Sequence, residues 1–133
     1  MKRVFADSFY FIALLNERDA RHREIRQFAA EHQMQVVTTR WVLAEVADAL
    51  CQARWRNKVG AFIAFVMAIP KFTVHSQSDT LFERGLALYR SRTDKDWSLT
   101  DCISFTVMAD EELTEALTGD RHFEQAGFHA LLV

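Results

Sequence analysis

Short apolar runs alternate with amphipathic stretches from one end of the chain to the other. Lys2-Arg3-Val4-Phe5-Ala6 predicts a short buried strand, after which Asp7 or Ser8 caps a helix from Phe9 to Leu15. A polar break at Asn16-Glu17-Arg18-Asp19 precedes an amphipathic helix from Ala20 to His32, with Ile25, Phe28 and Ala29 inward. Gln35-Val36-Val37-Thr38 predicts a second strand, and a helix starts at Thr39 or Arg40 and runs to about Arg54. Arg56-Asn57 is expected to break it, with a further helix from Lys58 to Ile69 stopped by Pro70. Phe72 to His75 predicts a third strand, followed by a helix from about Ser78 to Arg90 and a polar loop from Ser91 to Trp97. A helix from Leu99 to Ala109, a strand over Glu115 to Thr118, a short helix from His122 to Ala126 and a last strand from Phe128 to Leu132 complete the pattern.

Short apolar strands alternating with helices argue for an α/β fold in which helices sandwich a central parallel sheet. Ligands of such sheets bind beyond the carboxyl ends of the strands, near a switch in strand order. Asp7 and Asp120 each fall just past a strand's carboxyl end, and Asp101 falls in the first turn of a helix. The three can therefore share one crevice.

With 133 residues, half of them hydrophobic and 26% charged, the chain fits one globular domain spanning 1–133. One proline and four glycines leave no room for a flexible linker. The longest apolar run, Ala61 to Pro70, is short of the ~20 residues a membrane span needs, and no signal peptide is evident. Cys51 and Cys102 lie far apart with no Cys-x-x-Cys partner, which suits reduced thiols in a cytoplasm and argues against zinc. The net charge of −2 hides an asymmetry: residues 1–95 balance at +5, and residues 96–133 at −7. Basic surface beside an acidic end suits a polyanionic partner, although scattered solvated charge explains the same numbers.

The candidate chemistry lies in four carboxylates. Asp7, Asp101 and Asp120 each have a capping explanation, and Ser98-Leu99-Thr100-Asp101 has the form of a capping box. Glu45 resists that account. It lies mid-helix beside a stripe of Val42, Val46 and Ala49, with no Lys or Arg three or four residues away. A carboxylate buried there needs a partner, although Glu45 can also point outward beside Asp48 and Gln52. Four converging acids cannot all stay ionised unaided, and a hard cation such as Mg²⁺ or Mn²⁺ is the usual remedy. Ser8, Thr100, Ser104 and Thr118 are hydroxyl companions able to orient the acids, and helix N-termini at Ser8, Leu99 and Arg121 would favour their ionised form. That set points to metal-dependent phosphodiester chemistry.

The motifs around these acids resemble a known family. Val4-Phe5-Ala6-Asp7-Ser8, Glu45 after Thr38-Thr39, Trp97 to Phe105 around Asp101, and Leu117 to Phe128 around Asp120 resemble the PIN domain of VapC ribonuclease toxins. The resemblance spans essentially the whole chain, and the two C-terminal motifs are its specific part. It implies a PIN-like sheet of five parallel strands, Mg²⁺ or Mn²⁺ at Asp7, Glu45, Asp101 and Asp120, and cleavage of RNA. It also implies a homodimer and a VapB-like antitoxin laid across a hydrophobic groove. Gly119 stands where the family pattern leads one to expect a bulkier residue.

Other residues carry less. His122 can assist substrate binding or serve as a surface or capping residue, and Asp94 and Asp96 can add to the field of the site or sit in a solvated loop. Arg54, Arg56 and Lys58 cluster at a helix–helix turn and are candidate phosphate contacts. No interleaving of aromatic and basic residues marks an RNA-stacking platform. Ala61 to Ala68 is apolar on all sides, so this helix is either core or a protein interface that Phe9, Tyr10 and Phe11 can join. Two rival functions remain: a non-catalytic RNA- or protein-binding module that keeps the PIN fold, and a phosphoacceptor signalling domain. The second has no use for a buried Glu45 and no late Lys to contact a phosphoryl group.

Overall fold

The computed structural model describes residues 1–133. Five strands, β1 (Lys2–Ala6), β2 (Met34–Thr39), β3 (Phe72–His75), β4 (Glu115–Leu117) and β5 (His129–Ala130), form one sheet in the order β3-β2-β1-β4-β5. Every neighbouring pair is parallel, with Val4 opposite Val36, Val36 opposite Phe72, Phe5 opposite Ala116 and Ala116 opposite Ala130. Parallel pairing requires crossovers, and these are supplied by α1 (Ser8–Leu15), α2 (His22–Glu31), α3 (Arg40–Ala49), α4 (Ala53–Ala68), α5 (Asp79–Ser91), α6 (Leu99–Asp110) and α7 (His122–Gln125). The chain walks outward from β1 to β3 on one side, then returns through α6 to place β4 on the other side of β1. Strand order therefore reverses between β1 and β4, which opens a crevice beyond their carboxyl ends.

The central strands are apolar because both their faces are covered. Val4, Phe5 and Ala6 of β1 are fully buried, as are Ala116 and Leu117 of β4. One aromatic chain anchors the C-terminal half: Phe5 packs on Phe123, Phe123 on Phe105 and Phe105 on Trp97, with ring centroids 6.3, 4.9 and 5.1 Å apart. Each such side chain contributes ~1.5–3 kcal/mol through burial. Helix α6 is buried from Asp101 to Met108, and it packs tightly on α5. A Cβ at Gly85 would lie 2.3 Å from Cγ1 of Ile103, so the two helices need glycine there.

Three sequence readings are corrected. The long helical region breaks at Leu50–Gln52, not at Arg56-Asn57. Polarity alone does not stop a helix, and neither Gly nor Pro lies at 56–57. Instead Leu50 turns into the core, Gln52 begins α4, and Nη1 of Arg56 donates to the Cys51 carbonyl at 3.0 Å. Second, Tyr10 and Phe11 belong to the core, with Phe11 packed edge-on against Phe62 at 5.8 Å. The exposed apolar surface of α4 is Phe65 and Met67, 52% and 49% exposed. Ala49, expected in the buried stripe of α3, is exposed.

Candidate active site

Strand β1 ends where Asp7 turns into α1. Asp7 occupies the N-cap position of α1, yet its carboxylate makes no capping hydrogen bond. It is 4% exposed, and Thr118 Oγ1, just past β4, donates to its Oδ2 at 3.1 Å. The capping explanation therefore fails for Asp7, whose side chain faces the switch-point crevice. Burial, and next the negative charge of Asp101, push its carboxyl up to about 7, with Glu45 adding to the effect. That influence puts Asp7 within electrostatic reach of both Asp101 and Glu45.

Glu45 is half-buried on α3 and accepts a hydrogen bond from Ser8 Oγ at 2.6 Å, so it faces the start of α1 and not the solvent beside Asp48. Helix α3 is itself started by Thr39, whose Oγ1 accepts from the Val42 amide at 3.1 Å. Asp101 does make the capping box: Ser98 N–H donates to its Oδ2 at 3.1 Å, and the Asp101 amide donates to Ser98 Oγ at 2.9 Å. The cap engages Oδ2 alone and leaves Oδ1 without a hydrogen bond. Burial again comes first in raising the Asp101 carboxyl. The Ser98 amide and His122 pull it back, and Asp120 adds to the rise.

Asp120 sits in the turn after β4, where its Oδ1 accepts from the His122 amide at 2.9 Å. This turn folds His122 over the acids, with Nδ1 3.2 Å from Asp101 Oδ2 and 3.4 Å from Asp120 Oδ1. One ligand atom from each of Asp101, Asp120 and His122 lies within 4.8 Å of the others. His122 is the residue that sequence reasoning undervalued; the signal was its place two residues after Asp120, where an Asx-type turn brings both side chains to one side.

The hydroxyl companions divide. Ser8 and Thr118 hold acids as expected, but Ser104 Oγ donates to the Thr100 carbonyl at 2.9 Å, and the Asp101 carboxylate is held by the Ser98 backbone amide while the Ser98 hydroxyl accepts from the Asp101 amide. The helix N-termini do not offset burial, since both Asp7 and Asp101 are raised. Asp94 is committed to Arg92 and Lys95 in an exposed loop. The basic cluster on α4 is occupied too: Lys58 Nζ donates to the Leu15 carbonyl at 2.7 Å, Arg56 holds Cys51, and Arg54 lies over Trp55. Gly119 has a steric reason, because a Cβ there would lie 2.5 Å from Cζ of Phe9 and 2.9 Å from Nη1 of Arg21.

The donor set is one that suits a hard divalent ion. Asp101, Asp120 and His122 form its clustered part, two carboxylates with one imidazole and no cysteine thiolate, and Asp7 lies close enough for the charges of Asp101 and Glu45 to raise its carboxyl, with no lysine or arginine paired to any of these acids.

In sequence, the chain is 26% identical over 125 residues to the 23S rRNA-specific endonuclease VapC20 of Mycobacterium tuberculosis, in the CDC 1551/Oshkosh and ATCC 25618/H37Rv strains. The match covers 94% of this chain and 95% of the relative. In structure, it matches the crystal structure of Mycobacterium tuberculosis VapC20, a sarcin–ricin loop cleaving toxin, with a TM-score of 0.86, 25% identity and 98% of each chain covered. No protein-family model matches the chain. The chain is thus VapC-like in sequence, and its fold is the PIN-like α/β/α sandwich.

Proposed function

We propose that this protein is a divalent-metal-dependent ribonuclease acting as the toxin of a VapBC-type pair. The observation that carries the reading is the cluster of Asp101, Asp120 and His122, whose ligand atoms lie within 4.8 Å of one another, with the buried Asp7 under the electrostatic influence of Asp101 and Glu45. In this reading the four acids hold Mg²⁺ or Mn²⁺, an ion that supplies charge stabilisation at a scissile phosphate and acidifies a bound water. Ser8 fixes the rotamer of Glu45, Thr118 that of Asp7, and Ser98 with His122 that of Asp101. Such supporting bonds keep ligands in place before substrate arrives. His122, within reach of two acids and half-exposed at the rim, positions Asp101 and Asp120 relative to one another.

The 23S rRNA-specific endonuclease activity of the Mycobacterium tuberculosis relative makes 23S ribosomal RNA the first substrate to offer. The partly exposed apolar face of α4, centred on Phe65 and Met67, is our proposed contact for a second copy or a VapB-like antitoxin. No helix is long and apolar enough to cross a membrane, and we place the protein in the cytoplasm.

The decisive experiment is cleavage of ribosomal RNA by purified protein with Mg²⁺ or Mn²⁺, with and without EDTA. Discrete cuts that vanish in EDTA and with Asp7→Asn support the reading. Undiminished cutting in EDTA overturns the metal mechanism, and no cutting under any ion supports the non-catalytic alternative.

A further inference from the structure

We propose that the groove between the end of α5 and the start of α6 is a subsite for the single-stranded RNA that flanks the scissile phosphate. The inference deepens the ribonuclease reading and rests on it. The groove holds about 1040 Å³ and is lined by Tyr89, Arg90, Arg92, Lys95, Trp97 and Ser98, with Asp96 the one acid among its lining residues. It adjoins the acids: Ser98, on its wall, is the residue whose amide and hydroxyl hold Asp101.

Its chemistry fits a nucleic-acid strand. Four acids repel the phosphates they are meant to engage, so a substrate needs cations close by. Arg90 is exposed and makes no ion pair. Arg92 is clamped to Asp94 through two bonds of 3.0 and 3.1 Å and lies 5.0 Å from the Trp97 ring centroid, and Trp97 Nε1 donates to Gln125 Oε1 at 3.0 Å. These contacts brace the loop, so the groove is formed before substrate arrives. Lys95 lies 3.7 Å from the same Asp94 carboxylate and can turn to a phosphate. Tyr89, 49% exposed, offers a ring on which any base can stack. The groove thus joins cations to an exposed aromatic, the combination that grips single strands without reading their sequence.

The test measures binding of a fluorescent single-stranded oligoribonucleotide to the full-length protein in EDTA, between about 50 and 200 mM salt. Arg90→Glu with Lys95→Glu should weaken binding at least ~10-fold and flatten the slope of log affinity against log salt by about 1–2. Tyr89→Ala should weaken binding by about 5-fold or more with no change in that slope. In Mg²⁺, the same variants should raise KM and leave kcat close to the parent value. Variants that bind and cut like the parent overturn the groove while leaving the nuclease reading intact. Weakened binding by variants of a parent that cuts no RNA keeps the groove and overturns the nuclease.

Discussion

Ser8 Oγ donates to Glu45 Oε1 at 2.6 Å, tying the first residue of α1 to the middle of α3. The bond settles which way Glu45 points. It also brings an acid carried by the β2–α3 unit to within electrostatic reach of Asp7, which belongs to the β1–α1 unit. Ser8→Ala should leave the fold intact and free Glu45 to rotate. We expect activity to fall ~10–100-fold, with a higher Mg²⁺ concentration needed for half-maximal rate. A parent-like ion titration for Ser8→Ala would show that Glu45 is held by other means.

The bare site should carry electrostatic strain that depends on pH. Asp7 in the folded protein titrates at about 7, above its ordinary 3.8, because burial and the Asp101 charge favour its protonated form. The folded state therefore binds more protons than the unfolded one between these values, and stability falls as pH rises from about 4 to 7. Asp101, raised in the same direction, adds to the fall. Thermal melts in EDTA should show a lower Tm at pH 7.5 than at pH 5.5, by several degrees, and saturating Mg²⁺ should raise Tm most at the higher pH. A metal-free Tm that climbs across this range would contradict the raised carboxyls.

Gly119 marks a close approach that the linear sequence gives no means of seeing. Phe9 and Arg21, from α1 and from the connection before α2, close over the turn that carries Asp120, and Arg21 lies 5.5 Å from the Phe9 ring centroid. Gly119→Ala should force Phe9 aside and destabilise the protein by ~1–3 kcal/mol, measured by urea unfolding. Because Asp120 follows directly, activity should fall further than the stability loss explains. A neutral substitution would show that the Phe9 ring yields freely.

What was legible in the sequence follows from how local each cause is. The central strands were readable because a strand covered on both faces must be apolar along its length, as Val4-Phe5-Ala6 and Val36-Val37 are. The Ser98–Asp101 cap was readable because both partners lie within one turn. The break at Leu50–Gln52 was not, because it is set by Leu50 packing into a core assembled from distant segments, while the polar pair at Arg56-Asn57 only looks like a boundary. The four acids were legible as strand-end and helix residues. That the Ser8 and Thr118 hydroxyls each take a named acid, that His122 bends back over two of them, and that Tyr89, Arg90 and Lys95 share one groove are tertiary facts with no signature in spacing.

His122 offers a way to tell an orienting imidazole from a dispensable one. Its Nδ1 is 3.2 Å from Asp101 and 3.4 Å from Asp120. His122→Ala should lower kcat by ~10-fold and weaken the metal-induced rise in Tm, as loss of a group orienting two of the proposed metal-binding acids requires. His122→Asn, which can place an amide nitrogen near the same position, should recover part of both. Equal defects in the two variants would mean that the imidazole is needed for more than orientation.

Asp101 carries two roles that one pair of substitutions can separate. Its Oδ2 completes the capping box with Ser98, and its charge raises the Asp7 carboxyl. Asp101→Asn keeps a side-chain oxygen that can accept from the Ser98 amide but removes the charge. The metal-free protein should therefore be as stable as the parent or more so, since one repelling carboxylate is gone. Activity should fall at least ~100-fold, and the Tm rise on adding Mg²⁺ should shrink by about half or more, because an amide is a poor substitute for a carboxylate on a hard cation. Ser98→Ala should do the reverse: lost capping should cost ~1 kcal/mol, a few degrees of Tm, while the metal-induced rise persists. The comparison turns on the metal response, since stability alone mixes cap and charge. If Asp101→Asn leaves that response unchanged, Asp101 is a helix cap and nothing more, and the site must be rebuilt from Asp7, Glu45 and Asp120.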